Sequence, residues 1–370
     1  MATGRILFLV SDMAAGGAER VAALLCNHWV ANGYDVILMP TYSGKGDCVF
    51  PLDPRVKLDF LADRVRSTGR SPLNAVRRLF ALRRVMRETN PDVILSFLTT
   101  VNIAALVASV GLPTPVVISE RTYPPKQVLS NGWAWLRRRL YRHADCVVAQ
   151  TAATAAWIQE NCPGSRTVVI PNPVEWPLQS EQPLVSPDAF VDRDRRLVLA
   201  AGRLIALKGF DDLIAAFAML APAFPEWDLA IVGEGPGRRR LETLREGAGL
   251  SKRVFLPGRV GNLGDWYNRA DICTLTSHYE GFPNVIMEAL AGGLPVVSMD
   301  CPVGPREIVR HGVDGFLVPE GARPQGLAQA LEKLMTDSDL RKRFGGNATQ
   351  ARARFSSEKI GALWAAVLGL

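Results

Sequence analysis

Short runs that are apolar throughout and rich in β-branched residues recur along the whole chain, separated by stretches with helical apolar spacing. In the first half they read RILFLVS, DVILMP, DVILSFL, PVVISE, DCVVAQ and RTVVIPN; in the second, RLVLAAG, WDLAIVGEG, VFLPG, DICTLTS, PVVSMD and GFLVP. The helical patterns between them include 17–31, 72–89 and 152–160. A strand apolar on both faces must be covered on both faces, which is the condition of a parallel sheet with crossover helices. The expected fold class is therefore α/β, with two doubly wound domains.

The length of 370 residues suits two cores better than one. The boundary is expected near PNPVEWPLQSEQPLVSPDAF (171–190), which is rich in proline and without periodicity. This gives a first domain over 1–174, a linker over 175–189 and a second domain over 190–355. The tail SSEKIGALWAAVLGL has helical spacing at Ile360, Leu363, Trp364 and Leu368, with Ser356 or Ser357 as its cap. No apolar run reaches the roughly 18 residues of a membrane span, and RILFLV is too short for a signal-peptide core. Six cysteines and four histidines are dispersed without any Cys-x-x-Cys, so neither a disulfide framework nor a metal cage is expected, and the thiols read as reduced and cytoplasmic. Residues 1–175 hold 20 basic and 13 acidic residues, so the entire net charge of +7 lies in that half. An anionic partner is expected there: nucleic acid, membrane surface or phosphorylated substrate.

Ligands of doubly wound sheets sit beyond the carboxyl ends of the strands, so the strand-to-helix turns are the candidate chemistry. With two domains, the deepest pocket is expected between them. SDMAAGGAERV (11–21) places Gly16 and Gly17 at a helix start, where a backbone can approach a ligand and an anion is favoured. It does not match Gly-x-Gly-x-x-Gly, which argues against a dinucleotide fold. AGRLIALKGFDDL (201–213) places Arg203 and Lys208 around a turn suited to a diphosphate. GEGPG after WDLAIV and the FLPGRVGN turn add further glycines. In DICTLTSHYEGFPNVIMEALAGG, Glu280 lies on a loop and Glu288 one turn after Asn284 on the following helix, with Pro283 in the first turn. Two such carboxylates suit the vicinal hydroxyls of a ribose or pyranose, or a general acid and base; a capping Glu beside a salt-bridged one is the plain structural alternative.

Taken together, GGAERV, VIPNPV (169–174), GRL…KG, VGEGP, EGFPNVIMEALAGGLPVV and DGFLVP, in this order, resemble the family 4 glycosyltransferases, and within them the GGAER type that extends lipid-linked oligosaccharides or surface polysaccharides. The resemblance implies a GT-B fold, two Rossmann-like domains facing across a cleft, with the helix 356–370 returning to the first domain. It implies a retaining, metal-independent enzyme that moves a hexose or N-acetylhexosamine from a UDP-sugar, with no other cofactor. Arg203 and Lys208 would then hold the donor diphosphate, Glu288 the ribose and Glu280 the sugar hydroxyls. Phe282, Pro283 and Asn284 would contact sugar or phosphate, the backbone near Arg259 and Val260 the base, and Gly16–Gly17 the phosphate and acceptor side. Many relatives carry a histidine after the fourth strand of the first domain, where this chain has Glu120–Arg121.

A nucleotide-sugar 2-epimerase of the same fold would use the same donor half but has no acceptor. A basic nucleic-acid binder lacks the stacking platforms or motif it would need, so no nucleic-acid partner is expected. The expected acceptor is a phosphate-bearing or lipid-linked glycan, and the expected location is cytoplasmic, peripheral on the inner face of the plasma membrane. Two basic stretches suggest that anionic surface as a partner. In 72–90, Arg77, Arg78, Arg83, Arg84 and Arg87 interleave with Val76, Leu79, Phe80, Leu82 and Met86; in 133–145, Trp133, Trp135 and Tyr141 accompany Arg137, Arg138, Arg139 and Arg142. For 72–90 the covering of a sheet explains the pattern equally, and the Trp-rich stretch is the better membrane candidate.

Overall fold

The computed structural model of the protein describes residues 4–14, 16–42, 48–65 and 72–370. It forms two compact units: Met1–Pro173 with Ser357–Leu370, and Val174–Ser356.

The first unit is a parallel sheet of β1 (Arg5–Val10), β2 (Asp35–Pro40), β3 (Lys57–Leu58), β4 (Val93–Phe97), β5 (Val116–Glu120), β6 (Cys146–Ala149) and β7 (Thr167–Val169), in the order β3-β2-β1-β4-β5-β6-β7. Its strand order reverses at β1, where Leu7 pairs with Ile37 on one side and Ile94 on the other. The period-2 alternation of a strand divides its side chains between two buried layers. Ile6, Phe8 and Val10 pack with Trp29 and Trp364, whereas Leu7 and Leu9 pack with Leu82, Ile103 and Ile158.

The helix Gly17–Ala31 faces the first layer through Val21, Leu25 and Trp29 and ends at Asn32, followed by Gly33 at φ +89°. The last helix, Ser357–Leu368, lies against it. A Cβ on Gly361 would stand 2.1 Å from His28 Nε2, so a side chain there would have to displace the His28 ring. Trp364 is fully buried and edge-on to Trp29 at 6.5 Å; truncating such a ring costs about 3–5 kcal/mol.

The second unit is built the same way from β8 (Arg196–Ala201), β9 (Trp227–Val232), β10 (Val254–Gly258), β11 (Ile272–Leu275), β12 (Val296–Asp300) and β13 (Gly315–Pro319), ordered β10-β9-β8-β11-β12-β13, all parallel. Its order reverses at β8, which opens a crevice between the β8 and β11 loops.

The stretch expected as a linker is packed against this unit. Glu181 N donates to Gly261 O, Gly261 N to Pro183 O, and Trp266 Nε1 to Val185 O. Missing periodicity signals the absence of helix and strand; it does not signal a free chain.

Five of the six cysteines are buried and none is bonded to another; Cys48 is half-buried. Burial pushes the Cys162 thiol up to about 11 and Cys301 to about 12.

Candidate active site

The β8 turn and the β11 turn are fastened to each other. Thr276 Oγ1 donates to the Lys208 carbonyl at 2.7 Å, and His278 N donates to Leu207 O at 2.9 Å. Above this seam Lys208 Nζ reaches Glu280 Oε1 at 2.6 Å, with the two side chains only 19% and 14% exposed. Ser277 Oγ donates to the same oxygen at 2.6 Å. The structure thus brings together a cation from one turn and a carboxylate from the next, 72 residues apart. Arg203 lies on the same turn, exposed, and among the described residues its side chain has no hydrogen bond or ion pair.

Arg323 carried no signal in the sequence and proves central to this seam. Its Nη1 donates to Thr276 O at 2.6 Å and to Asp212 Oδ2 at 3.0 Å, while Nη2 donates to Ser277 O at 2.8 Å. It positions the β11 turn. Gly209, at φ +61°, is required by the same seam: a Cβ there would lie 2.3 Å from Thr276 O. The glycines of the GEGPG turn after β9 do permit a close backbone approach: a Cβ on Gly233 would lie 1.9 Å from Gly202 O, and one on Gly235 2.5 Å from Leu204 O. The close approach is made by the neighbouring β8 turn.

Glu288 lies on the helix Asn284–Ala291, only 4% exposed. Tyr267 OH donates to Val285 O at 3.0 Å and approaches Glu288 Oε2 at 3.3 Å. Pro283 caps that helix from outside, so the first helical residue is Asn284, which is half-buried. The Phe282 ring is buried edge-on to Phe355 at 5.9 Å. Gly304 clasps this turn, since a Cβ there would stand 2.6 Å from Pro283 Cδ. Val260 packs on the core and Arg259 is exposed. Among the described residues no group of three or more His, Cys, Asp or Glu could hold a metal ion.

In the first unit Gly16 caps the helix Gly17–Ala31 with an extended backbone. The Glu19 carboxylate lies over it, 2.1 Å from where a Cβ would stand. At the end of β5, Glu120 is buried and accepts from Tyr141 OH and from Thr99 Oγ1 at 3.0 Å. Burial raises its carboxyl above the ordinary 4.5. Thr99 Oγ1 also bonds Gln127, which accepts from Arg137 at 3.0 Å. This network takes Arg137 and Tyr141 out of the set expected at an interface in 133–145. Arg137 is 5% exposed, 4.6 Å over the Trp157 ring, and Tyr141 is fully buried. Trp135, Arg138, Arg139 and Arg142 are the members that remain at the surface.

Two family profiles divide the chain as the fold does: Glycosyltransferase Family 4 over residues 15–175, and Glycosyl transferases group 1 over residues 185–351. An α-1,4-N-acetyl-D-galactosaminyltransferase of Campylobacter jejuni, named for its undecaprenol-diphosphate-linked substrate, is 28% identical over 97% of both chains. An exopolysaccharide phosphotransferase of Streptomyces coelicolor is 29% identical over 94% of this chain, which spans 39% of that longer protein. Among solved structures, HepE of Anabaena in complex with UDP superposes with a TM-score of 0.79 over 99% of both chains at 22% identity. The two profiles, the two parallel sheets and these relatives agree: the chain is a glycosyltransferase of the GT-B type, with a Family 4 first half and a group 1 second half.

Proposed function

We propose that the protein moves a hexose or N-acetylhexosamine from a UDP-sugar to a hydroxyl of a lipid-linked glycan, with retention of anomeric configuration and without a divalent cation. The observation that carries this reading is the Lys208–Glu280–Ser277 cluster at the switch point of the second sheet. A cation there meets a diphosphate, and the carboxylate beside it accepts sugar hydroxyls. The donor's anomeric C–O bond breaks, the diphosphate oxygen keeps the electron pair, and the acceptor hydroxyl forms the new bond and passes its proton to that departing oxygen. Arg203 and Lys208 stabilise the charge that develops on the leaving group. Glu288, one turn into its helix, holds the ribose. Phe282, Pro283 and Asn284 offer their backbone to sugar and phosphate, Val260 and Arg259 theirs to the base, and Gly16–Gly17 lie on the acceptor side. The Campylobacter relative supports the lipid-linked acceptor, and the UDP complex of HepE supports the donor nucleotide.

Charged hydrogen bonds are worth about 1.5–3 kcal/mol each, or roughly 10–150-fold in affinity. Glu288→Ala should weaken UDP binding by that factor. Glu280→Ala should lower turnover while UDP affinity stays near wild type. Titration calorimetry and a sugar-transfer assay run in EDTA measure all of this. Wild-type behaviour in both variants, or activity that EDTA abolishes, defeats the reading. Incubation with the UDP-sugar alone, scored for an epimer, separates transfer from 2-epimerisation.

The first unit docks in this reading on an anionic membrane from the cytoplasmic side. Support comes from apolar side chains left at the surface among arginines. Phe80 is 70% exposed, one helical turn from Arg77 and Arg84; Val110 is 68% exposed and its carbonyl accepts from Arg83; Trp135 is 58% exposed, with Arg139 over its ring.

A further inference from the structure

Arg121 follows β5 directly, Gln150 follows β6, and Asn172 lies just beyond β7. All three therefore stand at the carboxyl end of the first sheet, where doubly wound folds bind ligands. Arg121 is 93% buried by its 7% exposure, with its guanidinium 4.2 Å over the Phe97 ring. Nη2 donates to Asn172 Oδ1 at 2.5 Å, but Nε and Nη1 have no partner. Three of the five N–H donors of the fork are thus unused. Gln150 is in the same condition: its amide nitrogen donates to Asn172 Oδ1 at 2.7 Å, and its Oε1 has no partner. Glu19 acts on Arg121 electrostatically without bonding either free nitrogen.

A buried guanidinium with idle donors is a costly arrangement, because charge taken from water needs a counter-charge or a full set of acceptors. Glu19 offers a counter-charge at a distance, but one amide oxygen and one ring leave the set of acceptors incomplete. Burial pushes Arg121 down to about 9, so it keeps its charge at neutral pH. A neutral side chain would satisfy Asn172 and Phe97 at lower cost, so packing does not account for an arginine here.

We propose that Arg121 binds an oxyanion of a substrate, a phosphate or carboxylate, at the carboxyl end of the first unit's sheet, with Gln150 Oε1 accepting a neighbouring hydroxyl. A planar guanidinium matches such oxygens in geometry and charge. The oxyanion belongs either to the donor diphosphate or to an acidic group of the acceptor. The assignment goes beyond the transferase reading and does not depend on the roles of Glu280 or Glu288.

The test uses the full chain as wild type, Arg121→Gln and Arg121→Lys. UDP is titrated first, and inorganic pyrophosphate is then titrated into UDP-saturated protein. If the acceptor supplies the oxyanion, wild type binds pyrophosphate beside UDP, and Arg121→Gln loses at least tenfold in that step with UDP affinity unchanged. If the donor supplies it, Arg121→Gln loses at least tenfold for UDP itself. In both cases the ligand-free melting temperature of Arg121→Gln stays at or above wild type, whereas an arginine that only held the fold would lower it. Wild-type affinities in Arg121→Gln overturn the assignment, as does failure of UDP-saturated wild type to take pyrophosphate while UDP affinity is unchanged in the variant. Should Arg121→Gln not fold, Arg121→Lys, which keeps the charge but not the spread of donors, decides by the same two titrations.

Discussion

Glu120 and Arg137 show how a single charged side chain departs from what its neighbours in sequence suggest. VVISE ends a buried strand in a carboxylate, and the WAWLRRRL helix sends one arginine of three inward to the Gln127 bridge that leads to it. A three-residue basic run carries no local mark of which member turns in; the partner lies ten residues upstream. Glu120 also makes a pH-dependent contribution whose sign is fixed. Its carboxyl holds a proton more tightly folded than unfolded, so stability falls as pH rises from about 4.5 through the raised folded value. The loss amounts to about 1.4 kcal/mol per pH unit across that interval. Glu120→Gln cannot ionise, so its stability relative to wild type should climb over the same range. Urea denaturation of both proteins in steps from pH 4 to 8 measures the difference, and parallel pH profiles would contradict it.

At the level of elements, the sequence is explicit about what is long and apolar and silent about what is short or enclosed. All but one of the strands were legible as buried runs; β3, two residues at the sheet edge, is too short to show a period. That Arg203, Lys208 and Glu280 stand on strand-to-helix turns of one sheet follows from the same pattern. What could not be read is the fastening of those turns. Arg323 is 47 residues from Thr276, and the glycines of GEGPG look the same whether they face a ligand or a neighbouring backbone. Gly233 makes the second case testable. It combines φ +141° with a Cβ position 1.9 Å from the Gly202 carbonyl, and no rotamer can relieve a backbone clash. Gly233→Ala should cost about 4 kcal/mol or more, the range of severe core lesions. Gly247→Ala, on an open helix face with nothing near its Cβ, should change stability by about 0.5 kcal/mol or less. Equal unfolding midpoints for the two variants would show that the β8 and β9 turns yield to each other.

For the molecule as a whole, no described helix is long and apolar enough to cross a membrane. Basic residues at the surface supply attraction of roughly 1 kcal/mol each near an anionic leaflet. The expected weight shifts with the structure. The helix Pro72–Thr89, read as a sheet cover, buries Leu82, Val85 and Met86 yet leaves Phe80 and Val76 outside; Arg137 leaves the basic set of the Trp-rich stretch. Wild type should sediment with anionic vesicles and come off in high salt, since screening acts beyond about 10 Å at 0.1 M. Phe80→Ala and the pair Arg138→Gln with Arg139→Gln should each reduce sedimentation without changing UDP affinity. Equal binding to neutral vesicles, or none to either kind, would leave a freely diffusing acceptor as the better partner.

The placement of the thiols has a practical side. With five of the six cysteines enclosed, and those at 162 and 301 pushed far above neutral pH, the folded chain offers maleimide or spin-label reagents little beyond Cys48. Replacing that one residue yields a background quiet enough for site-directed spectroscopy. A reporter cysteine at an exposed neighbouring position such as Ala206 or Asn131 can then follow nucleotide arrival or lipid contact without rebuilding the protein's interior.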